Sequence, residues 1–312
     1  MKEVEIFFKN IVLKLFLLFN KVQKVDDVNI NSQSKVLLIR LNRIGDALVT
    51  TPFINQLKKY TGCKIDILAD RKNSFVFKNN PDLDNVFVFK KGFSGFRETV
   101  KKLNSNNYDI VIDLHDDVST TVTFLISALK IPVKIALDKG NETVYSKVVK
   151  KLDSEKHHVI ERNLNILKEL KLKVNKEEAN IVYSVPESEY EEVDTFLEIY
   201  KLKKKKLVGI NISAGSEARF WGVENYKQLA DQLLSFDVNV ILLCHKDDVD
   251  KAKAINKTLP IFYSPSFDIF SAMISRLDFL VTPDTSIIHI ASAFEIPLFG
   301  LYVKYNTKDI IW

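Results

Sequence analysis

From Lys35 onward, short apolar runs alternate with longer stretches in which apolar residues return every three or four positions. The runs predict strands over 36–39, 64–69, 86–89, 109–114 and 133–136. The periodic stretches between and after them predict helices over 47–60, 93–103, 120–129 and 158–170. Within 47–60, Pro52 is tolerated only in an early turn or at a distortion, because it lacks an N–H and crowds the preceding turn. A second series begins after Pro186 with an acidic helix over 187–200, and the lysine-rich run 201–206 reads as a solvated hinge or loop. Strands then fall at 207–212, 238–244, 261–263, 278–281 and 298–302, with helices at 223–235, 247–258, 267–276 and 286–294. Strands alternating with helices in this way predict parallel, doubly wound sheets. The expected fold class is α/β, with two tandem Rossmann-like domains over 35–185 and 186–312, preceded by a helix and linker over 1–34.

That leading segment is rich in Ile, Leu and Phe but is interrupted by Lys9 and Lys14, so it contains no run of about 18 uncharged apolar residues that would cross a membrane. No small-residue cleavage site marks it as a signal peptide. On a helical wheel Val4, Phe7, Phe8, Ile11, Leu15, Leu18, Phe19 and Val22 share one face. Lys2, Lys9, Asn20 and Lys24 lie roughly opposite, with Leu13 and Leu17 breaking the polar side. Such a helix packs on the body of the protein or lies in the plane of a membrane through residues 4–22.

At 312 residues, with 46% hydrophobic and 27% charged residues, the chain has the composition of an ordinary globular protein of more than one domain. The net charge of +5 rests almost wholly on lysine, the arginines being Arg40, Arg43, Arg71, Arg97, Arg162, Arg219 and Arg276. No arginine-rich stripe with interleaved aromatics points to nucleic acid. An anionic small molecule or membrane surface suits the excess better. Cys63 and Cys244, the 2 cysteines, are far apart and form neither a disulfide framework nor a zinc motif, which fits a reducing cytoplasm. The chain lacks the glycine-rich dinucleotide fingerprint, the P-loop and the nucleophile elbow. None of the 5 histidines pairs with another at metal-binding spacing, so no metal is expected.

Two segments concentrate the candidate chemistry: LLIRLNRIGDALVTTP at 37–52 and VTPDTSIIHIASAFEIPLFGLY at 281–302. In each, an apolar run gives way to a polar turn with one aspartate and then to a helix, the arrangement that meets anionic or hydroxylated ligands. Together they suggest a cleft with one aspartate from each side. Asp46 and Asp284 also suit helix caps. His289 falls one helical turn beyond Thr285 and also fits a core histidine, and the 115–117 turn (His115, Asp116, Asp117) also fits a cap for the helix that follows it.

These segments resemble glycosyltransferase family 9, the ADP-heptose:lipopolysaccharide heptosyltransferase family, over nearly all of 35–303. The resemblance extends through YDIVIDLHDD, HHVIERNLNILKELKL and INISAGSEARFWGVENYKQLA, in the family's order. It implies a type B glycosyltransferase fold with the acceptor in the first domain and the nucleotide sugar in the second. It further implies an inverting, metal-independent transfer of a sugar, a heptose from ADP-heptose, onto a lipopolysaccharide core or other lipid-linked oligosaccharide. The enzyme would sit in the cytoplasm at the inner membrane. Under that resemblance Asp46 is the base, and Arg43 and His115 meet the acceptor. Ser213, Gly215, Arg219, Asp284, Thr285, Ser286 and His289 bind the donor.

Departures from the family pattern are Arg219 where lysine is commoner, Gly222 in place of proline after Trp221, and Cys244–Asp248 (CHKDD) at a turn usually small or glycine-rich. The chain stops at Trp312, where family members generally continue through further helices. A nucleotide-sugar 2-epimerase and a non-catalytic nucleotide-sugar binder or scaffold remain alternatives.

Overall fold

The computed structural model describes Leu13, residues 15–18 and residues 22–303. The chain divides into two compact units between Ala179 and Asn180. Each is built on one sheet whose pairings are all parallel.

The first unit carries β1 (Lys35–Arg40), β2 (Lys64–Ala69), β3 (Asn85–Val88), β4 (Ile110–Asp113), β5 (Val133–Leu137) and β6 (Lys147–Val149), in the order β3-β2-β1-β4-β5-β6. Val36, Leu37, Leu38 and Ile39 are all fully buried. An uninterrupted apolar strand is what a central parallel strand covered on both faces requires. Leu37, Ile39 and Val111 share a core with Leu125, Ile126 and Tyr145.

The expected helix over 47–60 is two helices, Ile44–Leu48 and Thr51–Thr61. Pro52 sits in the first turn of the second, where its missing N–H costs no intrahelical bond. Gly62 ends that helix at φ +66°, a left-handed cap that glycine adopts without strain. β6 and the short helix Phe75–Lys78 are additions to the sequence-based elements.

In the N-terminal segment, Leu13 is buried, Leu17 packs against the first core, and Phe16 meets Phe124 edge-on at 4.6 Å. Leu15 and Leu18, on the face the helical wheel marks as apolar, are 53% and 65% exposed. The residues that spoil the polar side of the wheel are thus the ones that pack. Val4, Phe7, Phe8, Ile11 and Phe19 lie outside the described residues.

The second unit carries β7 (Lys206–Asn211), β8 (Val238–Leu243), β9 (Ile261–Phe262), β10 (Phe279–Pro283) and β11 (Leu298–Leu301), in the order β11-β10-β7-β8-β9. Its core joins Ile210, Ile212, Val240 and Leu242 to Tyr226 and Ala230. Gly209 is required by packing: a Cβ there would stand 2.5 Å from a Leu277 methyl. Each sheet therefore has a point where the strand order reverses, between β1 and β4 in one and between β7 and β10 in the other. The carboxyl ends of strands at such points are where open α/β sheets bind ligands.

Candidate active site

In the first unit, the turn after β1 and the turn after β4 flank that reversal. Asp46 is not a helix cap. The helix Ile44–Leu48 is capped by Arg43, which makes no side-chain capping bond, and Asp46 lies inside the first turn. Its carboxylate is about one-third exposed and faces Arg40, whose Nη2 stands 3.4 Å from Oδ1. Arg40 is itself buried. Its Nε donates to the Asp46 carbonyl at 3.1 Å, and its Nη1 donates to the carbonyl of Leu114. One guanidinium thus bolts the Asp46 turn to the end of β4. Arg43 is exposed at the mouth of this turn.

His115 stands elsewhere than the acceptor contact expected of it. It is 1% exposed and both ring nitrogens are engaged: Nδ1 with Asp113 Oδ1 at 2.6 Å, and Nε2 as acceptor from the Leu41 N–H at 3.0 Å. The proton therefore sits on Nδ1. Burial lowers the imidazole below its ordinary range, although Asp113 opposes that. Asp113 also accepts from Lys139 Nζ at 2.7 Å and from the Tyr145 hydroxyl at 2.6 Å. Burial alone would raise the Asp113 carboxyl, but Lys139 and His115 outweigh it and hold it well below the usual carboxylate range. A paired charge can stay buried in this way because every oxygen has a donor. The residues after His115 do not cap the next helix either. Asp116 binds Arg162 at 2.7 Å, and Ser119 is the cap.

In the second unit the loop after β7 is tied down at three places. The Ser213 hydroxyl donates to Asp248 at 2.6 Å and accepts from the His245 N–H at 2.7 Å. Glu217 pairs with Lys251 at 2.8 Å, and Lys251 lies over the Phe220 ring at 4.6 Å. Arg219 Nη1 donates to the Asp284 carbonyl at 3.0 Å, with the Asp284 carboxylate at 3.5 Å. Gly215 lies alongside, so that a Cβ there would be 3.9 Å from Arg219 Nη1. Asn211 Nδ2 bridges to Thr282 Oγ1 at 2.9 Å, locking β7 to β10 beneath the loop.

Thr285 caps the helix Ser286–Ala293 through the Ile287 N–H at 3.3 Å. Ser286 opens that helix and His289 is half-buried within it. Two elements expected to act on one anion, Arg219 and the turn at 284–286, are thus side by side. Asp248 belongs to this set too: its turn departs from the family pattern, yet Ser213 and Lys251 hold its carboxylate in place. Among the described residues, no three His, Cys, Asp or Glu side chains are grouped to hold a metal ion.

The sequence profile of glycosyltransferase family 9 (heptosyltransferase) matches residues 96–310. The chain belongs to glycosyltransferase family 9. It is 27% identical to lipopolysaccharide heptosyltransferase 3 of Escherichia coli K12, across 86% of this chain and 81% of that one. Its fold matches the family 9 glycosyl transferase of Veillonella parvula with a TM-score of 0.78 at 20% identity, covering 88% of this chain and 82% of the other. It also matches the E. coli heptosyltransferase WaaC with ADP at a TM-score of 0.66 and 17% identity, covering 85% and 86%. The two parallel sheets are those of a type B glycosyltransferase. The protein is a heptosyltransferase-like enzyme, which separates it from the epimerase alternative.

Proposed function

We propose that this enzyme transfers a heptose from ADP-heptose to a lipopolysaccharide core acceptor, with inversion and without a metal ion. The observation that carries this reading is the pairing of Arg219 with Asp284 at the start of a capped helix, where the strand order of the second sheet reverses. A guanidinium beside a helix N-terminus supplies the positive potential that a departing diphosphate needs. The relatives support the donor and acceptor: one is a lipopolysaccharide heptosyltransferase and another was solved with ADP.

In this reading Asp46 removes the acceptor hydroxyl proton as the oxygen attacks the anomeric carbon from the face opposite the leaving group. The bond from that carbon to phosphate breaks, and ADP leaves with the electron pair. Thr285, Ser286 and the first N–H groups of their helix bind the diphosphate with Arg219. Asp284, His289, Ser213 and Gly215 line the donor, and Arg43 meets the acceptor. His115 serves from behind, by fixing the Leu41 backbone. The enzyme works at the cytoplasmic face of the inner membrane, a placement supported by the exposed Leu15 and Leu18.

The test is to incubate the protein with ADP-heptose and a heptose-deficient core acceptor, with and without EDTA, and to assign the new linkage by NMR. Transfer that survives chelation and inverts the anomeric centre is the expected result. Loss of turnover restored by Mg²⁺ or Mn²⁺ would overturn the metal-independent part.

A further inference from the structure

A cavity of about 620 Å³ opens at the carboxyl ends of β1, β2 and β3 in the first unit, within the roughly 300–1,000 Å³ range of small-molecule sites. Its walls include Asn42, Asp70, Lys91, Phe93, Phe96 and Phe124. Asn42 belongs to the turn that leads from β1 into the helix bearing Asp46, so the cavity adjoins the proposed base.

The aromatic wall is built deliberately. After β3 the chain turns at Gly92, whose φ of +84° disfavours any other residue. The helix Gly92–Asn104 then returns so close to the strand that a Cβ on Gly95 would lie 2.5 Å from the Lys90 carbonyl oxygen. That close approach brings Phe93 and Phe96 to the cavity. Phe93 is 79% exposed, a large apolar ring kept in water. Phe124 completes the aromatic side.

The opposite character is equally fixed. Asp70 is 8% exposed. One of its oxygens accepts from the Lys72 N–H at 3.0 Å, and the other faces Lys91 Nζ at 3.3 Å. A buried carboxylate and a lysine beside a set of phenyl rings suit neither an acyl chain, which offers nothing to the charges, nor a diphosphate, which the carboxylate repels. They suit a sugar ring: one face of C–H groups for the aromatics and hydroxyls for the carboxylate and amide.

We propose that this cavity is a saccharide subsite for the acceptor, in which a sugar ring stacks on Phe93 and Phe96 while its hydroxyls reach Asp70 and Asn42. Lys91 meets an anionic substituent of the same or the neighbouring sugar. The proposal rests on the glycosyl-transfer reading and, Asn42 apart, assigns acceptor specificity to residues outside the segments that carry the family resemblance.

The experiment measures calorimetric binding of a lipid-free lipopolysaccharide core oligosaccharide, and separately of ADP, to the full chain and to Phe93→Ala and Asp70→Asn. Phe93→Ala removes an exposed ring, so it tests the site even if Asp70→Asn fails to fold. Oligosaccharide affinity should fall about tenfold in each, the size of one aromatic or hydrogen-bonded contact, with ADP affinity unchanged. Steady-state assays should show the same loss in the acceptor KM. The proposal is overturned if the wild-type protein does not bind the oligosaccharide, if neither variant weakens it, or if only acylated acceptor binds. Wild-type protein that binds through Phe93 but transfers no sugar would leave the subsite standing and sink the transfer reading instead.

Discussion

The Arg40 guanidinium holds Asp46 by two separate atoms, Nε on the main-chain carbonyl at 3.1 Å and Nη2 toward the carboxylate at 3.4 Å. The side chain is almost wholly buried, so the hold is made by a group with no freedom to wander. A lysine would offer one point charge in place of a planar fork. Arg40→Lys should therefore lower kcat by roughly 10²-fold, the penalty for a misplaced reacting group, while ADP affinity stays within twofold. Unchanged kcat would mean that the two bonds have no part in aiming the base.

Asp46→Asn keeps the shape of the side chain and removes its capacity to take a proton. The turnover number should fall by roughly 10²–10⁴, the usual contribution of a positioned base. ADP binding should be unaltered, because the group acts on the acceptor. Activity retained within a few-fold would sink the assignment.

Arg219→Ala should weaken ADP binding and cost about 2–4 kcal/mol of transition-state stabilisation, as for other preorganised charge donors. Arg219→Lys should recover much of the loss, since an ammonium still reaches the Asp284 carbonyl side of the loop. Measured kcat and ADP affinity that are the same in both variants and the wild type would remove Arg219 from the diphosphate site.

The His115 imidazole gives a pH dependence with a definite sign. Burial lowers its folded-state value below the ordinary 6.5, so between the two values the unfolded chain binds more protons than the folded one. Its contribution is fully present above about pH 6.5 and is lost as the pH falls toward the lower, folded value. Asp113 adds a second loss further down: its depressed carboxyl stabilises the fold above its unfolded value near 3.8 and ceases to do so as the pH falls through the folded value. Melting temperatures at pH 7.5 and 5.5 should drop less in His115→Gln than in the wild type. Half-buried His158 is also shifted down, but it is common to both proteins and cancels in the comparison. Parallel drops would show that His115 is not a linked group.

Leu15 and Leu18 offer a membrane test that spares the packed side of the segment. Deleting the segment would uncover Phe124, against which Phe16 rests. Leu15→Gln with Leu18→Gln changes only exposed positions. It should shift the protein off vesicles containing anionic lipid, measured by co-sedimentation, with no change in melting temperature. Equal sedimentation of both proteins would argue against an in-plane contact through this face.

The sheets were legible because their central strands hold uninterrupted apolar runs, as at 36–39, 110–112 and 279–281, and that pattern needs no knowledge of partners. Pro52 was recognised as a disturbance, and the break falls just before it, at Val49 and Thr50. β6 was missed because three residues, Lys147, Val148 and Val149, carry too short a pattern to register. At the site, Arg219 and the 284–286 turn are expected to act on one anion, and the structure sets them side by side. What escaped were long-range roles. Arg40 enters the sequence reading only among the arginines, and Lys139 and Tyr145 do not enter it, because their partners are set by the sheet order and not by neighbours in the chain. His115 failed in the other direction: a polar residue after a strand end looks exposed until its surroundings are known.

The bonds that tie β1 and the turn after it to the β4 region share one spacing. Lys35 N–H to Asp109, Arg40 to Leu114 and Leu41 N–H to His115 each join residues 74 positions apart. At a synthesis rate of roughly 5–20 residues per second, that interval lasts roughly 4–15 s. During it, β1 has emerged with Arg40 and Asp46, yet the strand that will cover the arginine does not exist. A turn made near the beginning of the chain is therefore among the later parts of its unit to be completed. A ribosome-bound chain stalled before Asp109 carries Asp46 without any of these three bonds, and the Asp46 turn acquires its anchorage to the sheet only when β4 arrives.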